Sequence, residues 1–188
     1  QDVGLPLQIA GDPGILLRAA EACGISAHFS AAGAVAIGDL VELRCGGMSV
    51  AVRVLSQIQA GKAPFGHADA CGGRAMAACI EWACSECLAG QAAGMVTAPI
   101  NKAVLQDAGF AYPGHTELLT DRCGVDNSVM MLAGERLKVC LVTTHCAYRE
   151  VPDRISQARI LTTLRIVAAD LQRYFGYDRP RLAVLALN

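Results

Sequence analysis

The sequence predicts an α/β fold, in which helices pack in layers around a largely parallel or mixed β-sheet. Segments with strand-like and helix-like patterns alternate along the 188 residues, as is typical of such folds. Only 18% of the residues are charged and 5% are aromatic, and the mean hydropathy is +0.36. These values exclude a disordered chain. They indicate strands that are buried on both faces, or apolar surface that is covered by another subunit of an oligomer. The net charge of −1 offers no basic surface for nucleic acid or an anionic membrane.

The elements follow from apolar runs and the turn residues between them. Short apolar or β-branched runs predict strands at 5–10, 49–55, 95–97, 128–133, 138–144 and 181–187. Apolar residues at helical spacing predict helices over 15–23, 70–89, 100–108, 116–123 and 153–175. Glycine follows most of these helices, which is the residue expected just beyond a helix end. We find no repeat, no low-complexity tract and no linker.

The nine cysteines indicate a reducing compartment rather than a disulfide framework. Their number is odd, and several lie in apolar runs, where cysteine behaves as a small hydrophobic residue. Cys84 and Cys87 have the spacing of redox and zinc sites, but they fall late in a helix and no second pair completes a zinc site. With no signal peptide and no apolar run of about 18 residues, the sequence predicts a cytoplasmic protein.

Known nucleotide-binding fingerprints are missing from the sequence. No G-x-G-x-x-G follows a strand and no P-loop motif occurs. The segment Gly11-Asp12-Pro13-Gly14 is a turn that caps the next helix more often than it contacts a phosphate. A dinucleotide, if bound, would therefore be held by an architecture other than the standard Rossmann or P-loop site.

Two strand-to-helix junctions are candidate anion sites. Thr97-Ala98-Pro99-Ile100-Asn101-Lys102 would place Asn101 and Lys102 in the first turn of a helix, where free N–H groups attract phosphate or carboxylate. The alternative, an ordinary junction with a solvated lysine, is equally compatible with these residues.

The segment Pro113-Gly114-His115-Thr116-Glu117 repeats this arrangement. Gly114 permits close approach of a ligand, Thr116 is the expected N-cap, and His115 adds a ring nitrogen. A capped helix with an exposed histidine is the competing interpretation.

A third candidate is His145, which we expect at the end of the strand 138–144. Histidines at strand ends often bind metals, because a rigid sheet fixes the imidazole. A metal site needs two or three protein ligands, so His145 alone also fits a structural role.

These three segments, in this order and spacing, resemble the 4-hydroxythreonine-4-phosphate dehydrogenase family of pyridoxine biosynthesis. The resemblance covers most of the chain and is densest between residues 90 and 151. It implies a three-layer α/β/α fold like that of isocitrate and isopropylmalate dehydrogenases, without a standard Rossmann fingerprint. It also implies that residues 1–188 are the N-terminal and central part of a two-subdomain dehydrogenase, with the C-terminal part outside this sequence.

The resemblance implies an activity and a set of site residues. Such enzymes oxidise 4-phosphohydroxy-L-threonine with NAD or NADP, and the product loses CO₂ to give 3-amino-2-oxopropyl phosphate. They use a divalent metal (zinc, magnesium or cobalt), which would lower the pKa of the substrate hydroxyl, at a homodimer interface. By motif, His115 and Thr116 would bind the substrate and His145 would be a metal ligand. The catalytic acid and base are not identified.

Three other functions stay open at this point. A paralogous dehydrogenase would act on threonate or erythronate 4-phosphate, or on a cis-dihydrodiol dicarboxylate. An acyl transferase of similar fold, such as phosphate acetyltransferase, would exchange acetyl phosphate instead of reducing NAD. A non-catalytic α/β module would bind no metal.

Overall fold

The computed structural model describes residues 6–30, 34–58, 64–67, 69–110, 112 and 114–187. They form two compact units, Gln1–Leu119 and Thr120–Asn188.

The first unit contains a mixed four-stranded sheet. Its strands are β1 (Gln8–Gly11), β2 (Ala27–Ser30), β3 (Leu40–Cys45) and β4 (Met48–Val54), arranged in the order β1-β4-β3-β2. β1 is parallel to β4, and the other neighbours are antiparallel. The predicted strands at 5–10 and 49–55 are confirmed, although Leu5 lies outside the described residues. β2 and β3 have no counterpart among the strands that the sequence predicts.

Side chains on one face of β3 and β4 form the hydrophobic core beside this sheet. Val52 and Val54 are fully buried, Val41 lies with them, and Ile9 and Leu16 pack against this cluster. Residues two apart in a strand face the same side of a sheet, so the spacing of the two buried valines follows directly from strand geometry.

Helix α1 (Pro13–Ala22) begins at the predicted turn, and the buried carboxylate of Asp12 caps it. Asp12 Oδ1 accepts hydrogen bonds from the amides of Gly14 (2.9 Å) and Ile15 (3.2 Å). Oδ2 accepts from the amide of Ile58 (2.6 Å) and the hydroxyl of Ser56 (3.1 Å). The chain's own carboxylate therefore occupies the first amides of α1, which favours the capping interpretation of this turn over phosphate contact.

Helices α2 (Ala70–Leu88) and α3 (Lys102–Asp107) pack closely at Gly73. A Cβ added to Gly73 would overlap the carbonyl oxygen of Val104 and lie 2.8 Å from the Cβ of Ala108. Only glycine permits this separation of the two backbones. The helix predicted at 70–89 is confirmed, whereas the one predicted at 100–108 begins later.

The strand predicted at 95–97 is wrong. Residues 91–101 contain no helix or strand, and Val96 is fully exposed. No described strand pairs with residues 95–97, and a strand requires a hydrogen-bonded neighbour.

Helix α4 (His115–Arg122) leads from the first unit into the second. The second unit contains an antiparallel hairpin of β5 (Met131–Ala133) and β6 (Lys138–Cys140), each shorter than the predicted strand. A 3₁₀ turn (Tyr148–Glu150), the short helix α5 (Val151–Arg154) and the long helix α6 (Gln157–Phe175) follow.

The helix predicted over 153–175 is interrupted in the structure. Ser156 has extended backbone geometry, and its hydroxyl accepts a hydrogen bond from the amide of Arg159 at 3.2 Å. Serine favours this N-cap role, and an N-cap starts a new helix. The predicted end is confirmed, since Gly176 takes the left-handed conformation with φ of 71°.

An open groove of about 560 Å³ lies within the second unit, lined by β6, α6 and residues 180–185. The strand predicted at 181–187 is wrong, because these residues form no regular structure and Leu185 is 90% exposed. No described strand pairs with them; alternation of apolar residues alone does not make a strand without such a neighbour.

The α/β class predicted from the sequence is confirmed, with a mixed sheet and helices on the same chain. Every helix in the described parts of the chain is too short or too polar to span a lipid bilayer.

Candidate functional site

Asn101 is the N-cap of helix α3. The prediction that it lies within the first turn of this helix is wrong. Its side-chain oxygen accepts a hydrogen bond from the amide of Val104 at 3.2 Å. This use of the side chain satisfies one of the amides that the first turn leaves free. Lys102 is the first residue of the helix and is exposed. The amide of Asn101 thus has a structural role, and the charge of Lys102 remains available.

Helix α4 begins one residue earlier than predicted. His115 is its first residue, and the carbonyl of Gly114 accepts the first helical hydrogen bond, from the amide of Leu118 at 3.4 Å. Thr116 is therefore the second helical residue and not the N-cap. Glu117 lies in the same turn, where a negative charge is favourable beside the positive end of the helix dipole. Pro113 of the predicted motif lies outside the described residues.

The side chain of His115 has a buried polar atom with no partner. Its Nε2 is buried and makes no hydrogen bond to the described residues. Leaving a buried donor or acceptor unsatisfied costs about 1–3 kcal/mol, so such atoms are rare in folded proteins. The first turn of α4 therefore lacks one polar contact, which a bound ligand or a water can supply.

Lys102 and Glu117 both reach Gly114. From the position that a Cβ on Gly114 would take, Lys102 Nζ lies at 3.9 Å and Glu117 Oε2 at 3.5 Å. Both distances are ordinary van der Waals contacts, so these two side chains already close around the position that the missing Cβ leaves open. Lys102, Gly114, His115, Thr116 and Glu117 together are termed the Gly114 cluster, and all five belong to the first unit.

His145 does not end a strand, contrary to the prediction. β6 ends at Cys140, and His145 follows five residues later in a bend, where it is exposed. The strand 138–144 is shorter than predicted because β5 contributes only three pairs, the last joining Met131 to Cys140. Arg159 donates a hydrogen bond from Nε to the carbonyl of Val142 at 2.8 Å and thereby anchors the segment that leads to His145.

The backbone of His145 is strained. Its φ of 51° is the one positive value of a non-glycine residue in the described part of the chain. Left-handed backbone costs L-residues about 1–2 kcal/mol, and such strain concentrates at functional sites. The described residues contain no group of three or more His, Cys, Asp or Glu side chains that could hold a metal ion. His145 thus offers one donor, and further donors would have to come from elsewhere.

The thiols with perturbed pKa values show no sign of nucleophilic activation. Burial raises the pKa of Cys79, and the nearby negative charge of Asp12 raises it further. Burial likewise raises the pKa of Cys140. Because the thiolate is the reactive form, both side chains are suited to packing. None of the nine cysteines, all of which lie in the described residues, forms a disulfide.

Comparison with known proteins identifies the family. Residues 5–188 match the family model described as pyridoxal phosphate biosynthetic protein PdxA. The chain belongs to this family. A PdxA relative from Erythrobacter litoralis, named 4-hydroxythreonine-4-phosphate dehydrogenase, is 40% identical over 185 residues, which are 97% of this chain and 53% of the relative. A relative of the same name from Xanthomonas axonopodis pv. citri is 37% identical over 191 residues, covering 94% of this chain and 58% of the relative.

Solved structures of PdxA proteins support the fold. A Salmonella typhimurium protein, provisionally named a 4-hydroxythreonine-4-phosphate dehydrogenase, matches with a TM-score of 0.75 and 32% identity over 98% of this chain and 55% of that one. The enzyme from Klebsiella pneumoniae matches with a TM-score of 0.61 and 35% identity over 72% of this chain and 42% of that one. The chain spans about half the length of the curated relatives just described.

The sequence patterns assign no role to Glu117 and leave that of Lys102 open. The signal for Glu117 was its position three residues after Gly114, which places it in the first helical turn. The contact of Lys102 with Gly114 joins residues 12 positions apart in the sequence, and no local pattern predicts it.

Proposed function

We propose that this PdxA chain is part of an enzyme that oxidises 4-phosphohydroxy-L-threonine with NAD or NADP. Hydride passes from the secondary alcohol carbon to the nicotinamide ring, and the hydroxyl proton is released. The resulting β-keto acid loses CO₂ and yields 3-amino-2-oxopropyl phosphate. The match of residues 5–188 to a family whose similar members have this enzyme name carries the proposal.

His115 and Thr116 bind the phosphorylated substrate in this proposal. The support is the buried, unpartnered Nε2 of His115 at the first residue of α4. A substrate oxygen at this position would satisfy the ring nitrogen, and the positive end of the α4 dipole attracts an anionic group. The first amides of α1, by contrast, are already used by Asp12.

His145 is the proposed metal ligand of this chain. An exposed imidazole, held by a strained backbone in an anchored segment, has the chemistry that zinc and cobalt favour. The remaining ligands would come from outside the described residues, and a homodimer with the active site at its interface is part of the proposal. When bound, a divalent ion (zinc, magnesium or cobalt) supplies positive charge that favours loss of the hydroxyl proton and of CO₂.

The cofactor and the location complete the proposal. The cofactor is a nicotinamide dinucleotide held without a Rossmann fingerprint, since neither that motif nor a P-loop occurs in the sequence. Nine cysteines without a disulfide among them support a reducing, cytoplasmic compartment.

The test is an assay of the purified protein for reduction of NAD and NADP. Supplied with 4-phosphohydroxy-L-threonine, it should produce reduced cofactor, lose activity on treatment with a chelator, and regain it with zinc, magnesium or cobalt. Turnover confined to erythronate 4-phosphate or to a dihydrodiol dicarboxylate would favour a paralogous activity. Exchange of acetyl phosphate without reduction of either cofactor would refute the dehydrogenase proposal.

A further inference from the structure

The segment that joins β6 to α6 contains His145, whose strained backbone needs support from its surroundings. Strain of this kind persists only where neighbouring contacts hold the backbone in place. The hydrogen bond from Arg159 Nε to the carbonyl oxygen of Val142 reaches the segment shortly before His145. It joins residues 17 positions apart in the sequence, and it therefore closes a loop that contains His145 and ends in the first turn of α6.

The donor of this hydrogen bond is itself fixed at the start of α6. The amide of Arg159 donates to the hydroxyl of Ser156, the N-cap, at 3.2 Å. The carbonyl of Arg159 accepts a hydrogen bond from Oγ1 of the buried Thr163 at 3.0 Å. Helix α6 also buries Val167 and Leu171. The side chain of Arg159 therefore ties a segment without regular structure to a helix that is held by packing.

The backbone is also held on the other side of His145. The amide of Glu150 donates to the carbonyl of Ala147 at 2.8 Å and forms the 3₁₀ turn. The carboxylate of Glu150 accepts a hydrogen bond from Arg154 at 2.9 Å, which links this turn to α5. His145 lies between this turn and the hydrogen-bonded carbonyl of Val142. Support on both sides restricts the positions that the imidazole can take.

We propose that Arg159 is a positioning residue, which holds His145 in the geometry that a divalent metal ion requires. Ligands that are already in place lose less conformational freedom on binding, and loss of a contact that orients a metal ligand weakens metal affinity about 10–100-fold. Arg159 does not bind the ion itself, because a guanidinium is always charged and has no acceptor atom. The inference rests on the proposed role of His145 and adds the residue that orients it.

The positive charge of Arg159 separates this proposal from an electrostatic one. Like charges repel, so removal of the guanidinium should strengthen the binding of a cation if only its charge matters. Loss of the hydrogen bond to Val142 should weaken binding instead, because His145 then adopts geometries that do not suit the ion. The two explanations thus predict effects of opposite sign. A role in the stability of α6 alone predicts a lower melting temperature and an unchanged metal affinity.

The experiment measures the dissociation constant for zinc, by competition with a chromogenic chelator, for the wild-type protein, Arg159→Met and Arg159→Lys. We expect Arg159→Met to weaken zinc binding about tenfold or more. Arg159→Lys retains the charge and a hydrogen-bond donor, and it should recover part of this loss. Arg165→Met, which removes an exposed positive charge from the same helix, is the matched control and should not weaken zinc binding.

Hydrogen–deuterium exchange of the metal-free proteins tests the hydrogen bond without any metal. Arg159→Met should speed exchange of the amides at residues 142–147, and Arg165→Met should not. Because this measurement needs no metal, it shows whether the segment is held even where the proposed function fails. Should Arg159→Met not fold, the smaller change in Arg159→Lys provides the same two comparisons with the wild-type protein.

Two results would overturn the inference. In one, zinc affinity in Arg159→Met is equal to or higher than that of the wild-type protein; in the other, exchange of residues 142–147 is unchanged. Failure of the proposed function has a different signature, because the wild-type protein itself would then take up no zinc, and this inference would fall with it. Failure of the inference alone leaves zinc binding and reduction of NAD or NADP by the wild-type protein intact.

Discussion

Asp12 should contribute far more to stability than an ordinary helix cap. Its carboxylate is buried and accepts four hydrogen bonds, two from the start of α1 and two from the segment that follows β4. Asp12→Ala removes all four. Loss of an N-cap costs about 1 kcal/mol, and leaving the part-buried amide of Ile58 unsatisfied adds about 1–3 kcal/mol. The hydroxyl of Ser56 can rotate toward water, so we expect a total of about 2–4 kcal/mol.

Asp69 is the matched control for Asp12 within the same unit. It caps α2 through one hydrogen bond, from the amide of Gly72 at 2.7 Å, and it is exposed. Asp69→Ala should therefore cost only about 1 kcal/mol. The free energy of unfolding in urea, followed by circular dichroism, measures both variants. Equal destabilisation by the two substitutions would show that the bonds to Ser56 and Ile58 contribute nothing, and would refute this reasoning.

Three further predictions concern the site and the thiols. His115→Ala should raise KM for the phosphorylated substrate and leave the affinity for NAD unchanged, as determined by steady-state kinetics and cofactor titration; a change in cofactor affinity alone would contradict the assignment. His145→Gly should abolish zinc uptake, measured by metal analysis of the dialysed protein, and retention of zinc would contradict the ligand role. Its free energy of unfolding should stay within about 1 kcal/mol of the wild-type value or rise, because glycine tolerates the left-handed φ. The raised pKa of Cys79 keeps its thiol protonated as pH rises, so alkylation mapped by mass spectrometry should begin at a higher pH than for a model thiol, and rapid labelling at neutral pH would contradict this.

Sequence patterns predicted the elements whose signals are local. The turn before α1, the glycine after α6 and the buried alternation of β4 each depend on a few neighbouring residues. β2 and β3 were missed because their pairing partners, and not their own composition, make them strands. Residues 95–97 and 181–187 show the opposite case. Their pattern is strand-like, but no described strand pairs with them and they form no strand.

The candidate site was predictable in its residues but not in its geometry. The motif around Gly114 indicated His115 and Thr116, yet helix α4 starts at His115 because the carbonyl of Gly114 begins its hydrogen bonding. His145 was indicated as a metal ligand on a strand, and the structure instead gives it a strained bend. Neither the buried Nε2 of His115 nor the approach of Lys102 to Gly114 leaves a signal in the sequence, since both depend on packing between separate elements.

The close contact at Gly73 determines the position of helix α3, and Lys102 is the first residue of that helix. Gly73→Ala would push a methyl group into Val104 and Ala108 of the α3 region, and overpacking of this kind costs about 1–3 kcal/mol. Because the contact is with backbone, α3 must move, and the ammonium of Lys102 must move with it. If Lys102 binds an anionic group of the substrate, which is one of its two interpretations from the sequence, Gly73→Ala should weaken binding of 4-phosphohydroxy-L-threonine in the wild-type background but not further in Lys102→Met. Calorimetry on the four proteins of this double-mutant cycle measures the coupling; additive losses of affinity would show that the glycine supports the fold alone and has no effect on the position of the lysine.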